Sequence, residues 1–170
     1  MDRTDTSLGP SGPPDFLECS CIAFPEVRKD VMARILVIED NAATMKLTAL
    51  VLRNAGHTAL CAVDAETGLA LARTGQPDLI LMDILLPGMD GLTAAALLKK
   101  DPATAAIPII ALSTMLTQND EKKARDAGCD AYLAKPFRRL ELNAAIEDLL
   151  KAAIDALLLK SGPPAAIAGP

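Results

Sequence analysis

Five side chains in this sequence could do chemistry as a group: Glu39, Asp40, Asp83, Ser113 and Lys135. Each stands at or just past the end of a short apolar run. Asp83 closes Leu79-Ile80-Leu81-Met82, a stretch without polar alternation, which is the pattern of a strand covered on both faces. An Asp in such a place often caps the next helix, but Asp90, just before Gly91 and the Leu92–Lys100 run, fits that duty better. A carboxylate left over at a strand end serves as a nucleophile or a cation ligand. Taken singly, Ser113 reads as a helix cap and Lys135 as a solvated strand end. Four polar strand ends aimed at one crevice are harder to explain that way. Three carboxylates about 5 Å apart repel by roughly 3 kcal/mol per pair at an effective dielectric near 20. A hard divalent cation removes that repulsion, and an all-oxygen set of modest size suits Mg²⁺. Cation, ammonium and hydroxyl around one carboxylate supply the positioning and charge neutralisation that phosphoryl transfer needs. Asp83 would attack phosphorus and become an aspartyl phosphate.

For these residues to meet, the elements between them must return each strand to the same edge. Ile35-Leu36-Val37-Ile38 reads as a buried strand ending at Glu39-Asp40. Asn41 to Ala55 reads as a helix with Met45, Leu47, Leu50, Val51 and Leu52 mostly inward, closed by Gly56. His57 to Val63 mixes polar and apolar residues as an edge strand does. Asp64 caps a helix to about Thr74. After the Leu79–Met82 strand and the Leu92–Lys100 helix, Asp101-Pro102 is a stop. Ile107 to Leu112 is a fourth strand, and Thr117 to Asp120 resembles a capping box for a helix ending at Gly128. Ala131 to Ala134 is a fifth strand, and Pro136-Phe137 launches a last helix to Lys160. Alternation of this kind means right-handed βαβ units. It predicts an α/β, flavodoxin-like (βα)5 doubly wound parallel sheet in the order 2-1-3-4-5, with its crevice beyond the carboxyl ends of the strands.

Bulk properties narrow the partners. The 170 residues suit one domain with tails, predicted as 33–152, flanked by 1–32 and by a helix extension and Pro/Gly-rich tail over 153–170. Residues 1–31 are rich in Pro, Gly, Ser and Asp without periodicity and are expected to be disordered; Met32 is an alternative start of translation. The net charge of −5 with scattered basic residues argues against nucleic acid. Apolar runs are strand-sized, so no membrane span is expected. Cys19, Cys21, Cys61 and Cys129 form neither a disulfide framework nor a metal set, Cys61 and Cys129 reading as core residues. Together with the lack of a leader peptide, this predicts a reducing, cytoplasmic setting.

The stretches Ile-Leu-Val-Ile-Glu39-Asp40-Asn41, Leu-Met-Asp83-Ile-Leu-Leu-Pro-Gly-Met-Asp-Gly, Ile-Pro-Ile-Ile-Ala-Leu-Ser113 and Ala-Tyr132-Leu-Ala-Lys135-Pro136-Phe resemble, in order and spacing, the receiver domain of two-component response regulators. The resemblance covers about Ala33 to Leu150 and is closest to stand-alone, single-domain receivers. It implies that Asp83 is the phosphoacceptor, served by a sensor histidine kinase or histidine phosphotransfer protein and read by a downstream protein target. It implies that Asp40, Asp83 and the backbone carbonyl of Leu85 bind Mg²⁺, with Glu39 acting through water. Ser113 and Lys135 would hold the phosphoryl oxygens, and the Lys135–Pro136 bond would be cis. Phosphorylation would draw in the Ser113 hydroxyl and let Tyr132 rotate inward, a dianion biasing a two-state element. Tyr132 reads equally as a half-buried aromatic covering the sheet edge. Ser113 stands where many members carry Thr and keeps the hydroxyl. Apolar Leu85 and Met115 would limit water access and slow dephosphorylation.

Three competing readings are weaker. Phosphatases with an aspartyl nucleophile resemble a pattern with a second Asp two residues on, where this chain has Leu85. A flavin module of the flavodoxin type would want a hydroxyl-rich phosphate loop where Glu39-Asp40 stands. An unphosphorylated receiver-fold scaffold would not need the intact acid, hydroxyl and lysine set. The signalling reading is therefore of a protein that is not a turnover enzyme, its Mg²⁺-dependent gain and loss of phosphate at Asp83 aside. The last helix, about 36 Å long from Phe137 to Lys160 at 1.5 Å per residue, overhangs one face of a small sheet and suggests a homodimer or partner contact.

Overall fold

The capped helices and unbroken apolar runs close into a single five-stranded sheet flanked by five helices. A computed structural model describes residues 32–114 and 118–160. In chain order the elements are β1 (Arg34–Ile38), α1 (Ala42–Asn54), β2 (Thr58–Ala62), α2 (Ala65–Gly75), β3 (Leu79–Asp83), α3 (Gly91–Lys100), β4 (Ile109–Ser113), α4 (Gln118–Asp126), β5 (Ala131–Ala134) and α5 (Arg139–Lys160). Local chemistry sets the boundaries. The Asn41 side chain accepts from the Ala43 and Thr44 amides, Asp64 from Thr67, and Asp90 from Thr93, satisfying amides that the first helical turn leaves open. The predicted Thr117 cap, Met115, Cys19, Cys21 and residues 1–31 and 161–170 of the predicted tails lie outside the described residues.

All strands are parallel, in the order β2-β1-β3-β4-β5. The predicted order is the observed one. Successive residues of each strand serve opposite faces, and the interior is accordingly split in two. Leu36, Ile38, Ile80, Met82, Ile109 and Ala111 pack beneath α2, α3 and α4. Ile35, Val37, Leu79, Leu81, Ile110 and Leu112 pack against Met45 and Leu52 of α1 and Leu142, Ile146 and Leu150 of α5.

Two side-chain assignments change. Leu47 and Leu50 are 63% and 54% exposed, and the inward stripe of α1 is Met45, Thr48, Ala49 and Leu52. These four stand at i, i+3, i+4 and i+7, the spacing of one helix face, so two smaller side chains hold places that hydropathy alone assigns to leucines. Cys61, expected in the core, is exposed on edge strand β2, whereas Cys129 is buried as expected. Burial of that thiol raises its pKa from 9.0 to about 11, with the nearby Asp130 carboxylate adding to the effect.

Candidate functional site

The sheet delivers the candidate residues to one edge because all five strands point the same way. Glu39 and Asp40 follow β1, Asp83 ends β3, Ser113 ends β4 and Lys135 follows β5. Cross-strand register aligns them: Asp83 lies opposite Leu112, and Ser113 opposite Ala134. The Lys135 amide donates to the Ser113 carbonyl at 2.6 Å, fixing the start of the β5–α5 loop. The Lys135–Pro136 peptide is cis.

At the centre is a lysine between two acids. Lys135 Nζ donates to Asp83 Oδ2 at 2.6 Å and to Glu39 Oε2 at 2.5 Å. Glu39, Asp83 and Ser113 are buried, while Asp40 is exposed. Burial disfavours the charged form of Glu39 and raises its pKa, outweighing the hydrogen bond from Lys135 that acts the other way. Burial also opposes the Lys135 ammonium, but its hydrogen bonds to Asp83 and Glu39 prevail and its pKa is raised. The pair therefore holds its cation firmly.

Backbone geometry clamps the nucleophile candidate. The Leu85 amide donates to Asp83 Oδ1 at 3.0 Å, and the Gly91 amide donates to the Ile84 carbonyl at 3.0 Å. A Cβ on Gly91 would fall 2.0 Å from the Asp83 carbonyl oxygen, so only glycine lets α3 start this close to β3. The sequence marks Gly91 as a turn residue, but the packing demand is visible only in three dimensions. Likewise, nothing in the sequence indicates that Glu39 is shared with Lys135.

Carboxylate oxygens of Glu39, Asp40 and Asp83 lie within 4.8 Å of one another. With one ammonium among three carboxylates, the formal balance is two negative charges in excess. An oxygen-only donor set with surplus negative charge fits a hard divalent cation. Asp40, Asp83 and Glu39 are the side chains that could hold one, and the main chain of Leu85 is at the same place. Tyr132 on β5 is half-buried against the α2–α4 core and lines a small cavity with Glu121, Ala124 and Arg125.

A family model for the response regulator receiver domain matches residues 35–147. The chain is 41% identical over 120 residues to the DNA-binding dual master transcriptional regulator RpaA of Synechocystis sp. PCC 6803, covering 71% of this chain and 50% of that regulator. It thus spans half of RpaA. It is 43% identical over 120 residues to the protein PilH of Pseudomonas aeruginosa, covering 70% of this chain and 98% of PilH. Among solved structures, it resembles the receiver domain of the sensor histidine kinase PA1611 from P. aeruginosa, which has a magnesium ion coordinated in its active-site cleft. That match has a TM-score of 0.66 at 32% identity and covers 70% of this chain and 98% of the other.

Proposed function

The chain belongs to the response regulator receiver domain family of two-component phosphorelay signalling, and on that premise we propose that it accepts a phosphoryl group on Asp83 and thereby switches protein binding. The observation carrying this reading is the hydrogen-bonded Lys135–Asp83 pair beside the three-carboxylate cluster. In the transfer, an Asp83 carboxylate oxygen forms a bond to phosphorus as the phosphorus–nitrogen bond of a phosphohistidine donor breaks. The electron pair stays on the leaving imidazole, which takes up a proton. The Lys135 ammonium and the Ser113 hydroxyl stabilise the phosphoryl oxygens, and burial of the cluster strengthens both interactions. Mg²⁺ held by Asp40, Asp83 and the Leu85 carbonyl, with Glu39 through water, would supply charge neutralisation. Glu39 must share itself between that ion and Lys135, so it tunes the lysine's freedom to reach phosphate.

Donor and reader are a sensor histidine kinase or histidine phosphotransfer protein and a downstream protein target. Ser113 and Tyr132 would be the switch pair, moving toward the phosphoryl group and into the vacated space. Leu85, 58% exposed beside Asp83, would shield the acyl phosphate from water and give it a lifetime longer than seconds. The exposed end of α5 supports a homodimer contact. No helix among the described residues is long and apolar enough to cross a membrane; a cytoplasmic location remains part of this reading. The testing experiment is incubation with acetyl phosphate and Mg²⁺, comparing wild type with Asp83→Asn. One hydroxylamine-labile phosphate, absent in the variant, is expected. Equal labelling of both would remove Asp83 as the acceptor.

A further inference from the structure

The two buried acids of the site are each divided between the main chain and Lys135. Asp83 Oδ1 accepts from the Leu85 amide at 3.0 Å, and Oδ2 accepts from Lys135 Nζ at 2.6 Å. Glu39 Oε1 accepts from the Asn41 amide at 3.3 Å, and Oε2 accepts from the same Nζ at 2.5 Å. The ammonium thus already stands on two of the three carboxylates that could hold a divalent ion. The side chains of Lys135, Glu39 and Asp83 are only 13%, 3% and 9% exposed, so solvent and salt screen them little. A dication and an ammonium drawn to the same buried carboxylates repel one another. One of the lysine's contacts has to give.

How each acid is held decides which contact that is. Asp83 is fixed by the shorter main-chain hydrogen bond, and the phosphoryl oxygens that Lys135 has to reach would stand on Asp83 itself. Glu39 is held by the longer one and has a further methylene on which to swing. Stripping the cation from a buried carboxylate with nothing in return is strongly unfavourable, so Glu39 keeps Lys135 until another positive charge replaces it. We propose that Glu39 is a positioning residue that parks Lys135 and releases it only in exchange for a divalent cation. The two cations then compete for one carboxylate, and by linkage each weakens the other's hold to the same degree. This deepens, and rests on, the phosphoacceptor reading above by adding a regulation to the same site. A phosphodonor arriving ahead of the divalent ion finds the lysine committed to Glu39, so the order of arrival governs the transfer.

Calorimetric titration of Mg²⁺ into the full, unphosphorylated chain tests this without any phosphoryl transfer. Lys135→Met should tighten Mg²⁺ binding by at least about tenfold, within the usual range of coupling between two sites. In a Glu39→Gln background the same substitution should tighten it by less than about threefold, because the shared carboxylate is gone. No tightening by Lys135→Met overturns the proposal. Equal tightening in both backgrounds overturns it too, since the lysine would then act as a general positive charge and not through Glu39. A measurement on wild type stands apart from how well the variants fold: the ammonium protons of Lys135, followed by nitrogen-15 NMR, should exchange with water faster on saturation with Mg²⁺. Unchanged exchange would mean that Glu39 never lets go. Labelling with acetyl phosphate separates the two readings. Loss of labelling in wild type with the competition intact would sink the phosphoacceptor role of Asp83, whereas labelling at Asp83 without competition would sink only the parking of Lys135.

Discussion

The two ends of the sheet each carry a partly buried lysine, and the two lysines are placed differently. At the amino end, Lys99 Nζ donates to Asp130 Oδ2 and the Ile107 carbonyl, both at 2.9 Å, with the Ala105 carbonyl at 3.4 Å. Asp130 Oδ2 in turn accepts from the Ile109 amide at 2.9 Å. One cation meets one anion, and neutral carbonyls take its other protons. This is a closed structural tie between α3, β4 and β5. At the carboxyl end, Lys135 meets two carboxylates with a third nearby, and the charge does not close. The contrast teaches that a buried ion pair points to chemistry when it carries surplus charge, not merely because it is buried.

The sharpest way to break that contrast is to remove each lysine. Lys135→Met should cut the rate of acetyl-phosphate labelling by at least about 100-fold, the scale on which lost oxyanion-type donors act. Lys99→Met should change labelling less than about twofold while costing about 1 kcal/mol in urea unfolding, since it leaves the half-buried Ala105 and Ile107 carbonyls and the exposed Asp130 without their donor. Comparable labelling losses in both variants would erase the distinction.

Gly91→Ala probes the carboxyl end without touching its charges. Its Cβ must displace the Asp83 carbonyl, so a loss of about 1–3 kcal/mol is expected, together with impaired labelling. Wild-type values for both would mean that α3 yields freely.

Surplus charge also predicts metal linkage. At a Mg²⁺ concentration about tenfold above its dissociation constant, wild type should gain about 1.4 kcal/mol by mass action. Asp40→Asn should lose most of that gain and Asp130→Asn none of it. Equal gains in all three proteins would locate the ion elsewhere.

The last effect lies at the amino end and shows only at alkaline pH. Cys129 has a folded-state pKa of about 11 against an ordinary value of 9.0. A raised value means that the protonated thiol favours the native state, so its contribution is complete below pH 9 and is lost as pH rises toward 11. Discounted for partial solvent contact, the loss is about 1–2 kcal/mol. Cys129→Ala should show a correspondingly flatter decline in unfolding free energy over that window. Parallel declines would show that the thiol is not responsible.

Much of the scaffold was legible beforehand because parallel strands covered on both faces read as unbroken apolar runs, and each run here ends on a polar residue. Asp40, Asp83, Ser113 and Lys135 could be placed at one edge from order and spacing alone. Helix phase was less legible. In a segment as rich in Ala, Thr and Leu as α1, several faces look apolar, and tertiary packing chose Thr48 and Ala49 over Leu47 and Leu50. The Lys135–Glu39 bond and the tight approach at Gly91 were not legible at all. Both depend on distances between residues far apart in the chain or on backbone contact, which residue type does not encode.

The division of the interior by the sheet has a consequence for paired substitutions. Val37 and Ile38 are adjacent in the chain, yet one answers to α1 and α5 and the other to α2 and its companions. Trimming Val37 together with Leu142, which share one cluster, should couple more strongly than trimming Val37 together with Ile38, whose packing partners differ. Consecutive residues of one strand thus answer to separate packing constraints, one set by each face of the sheet.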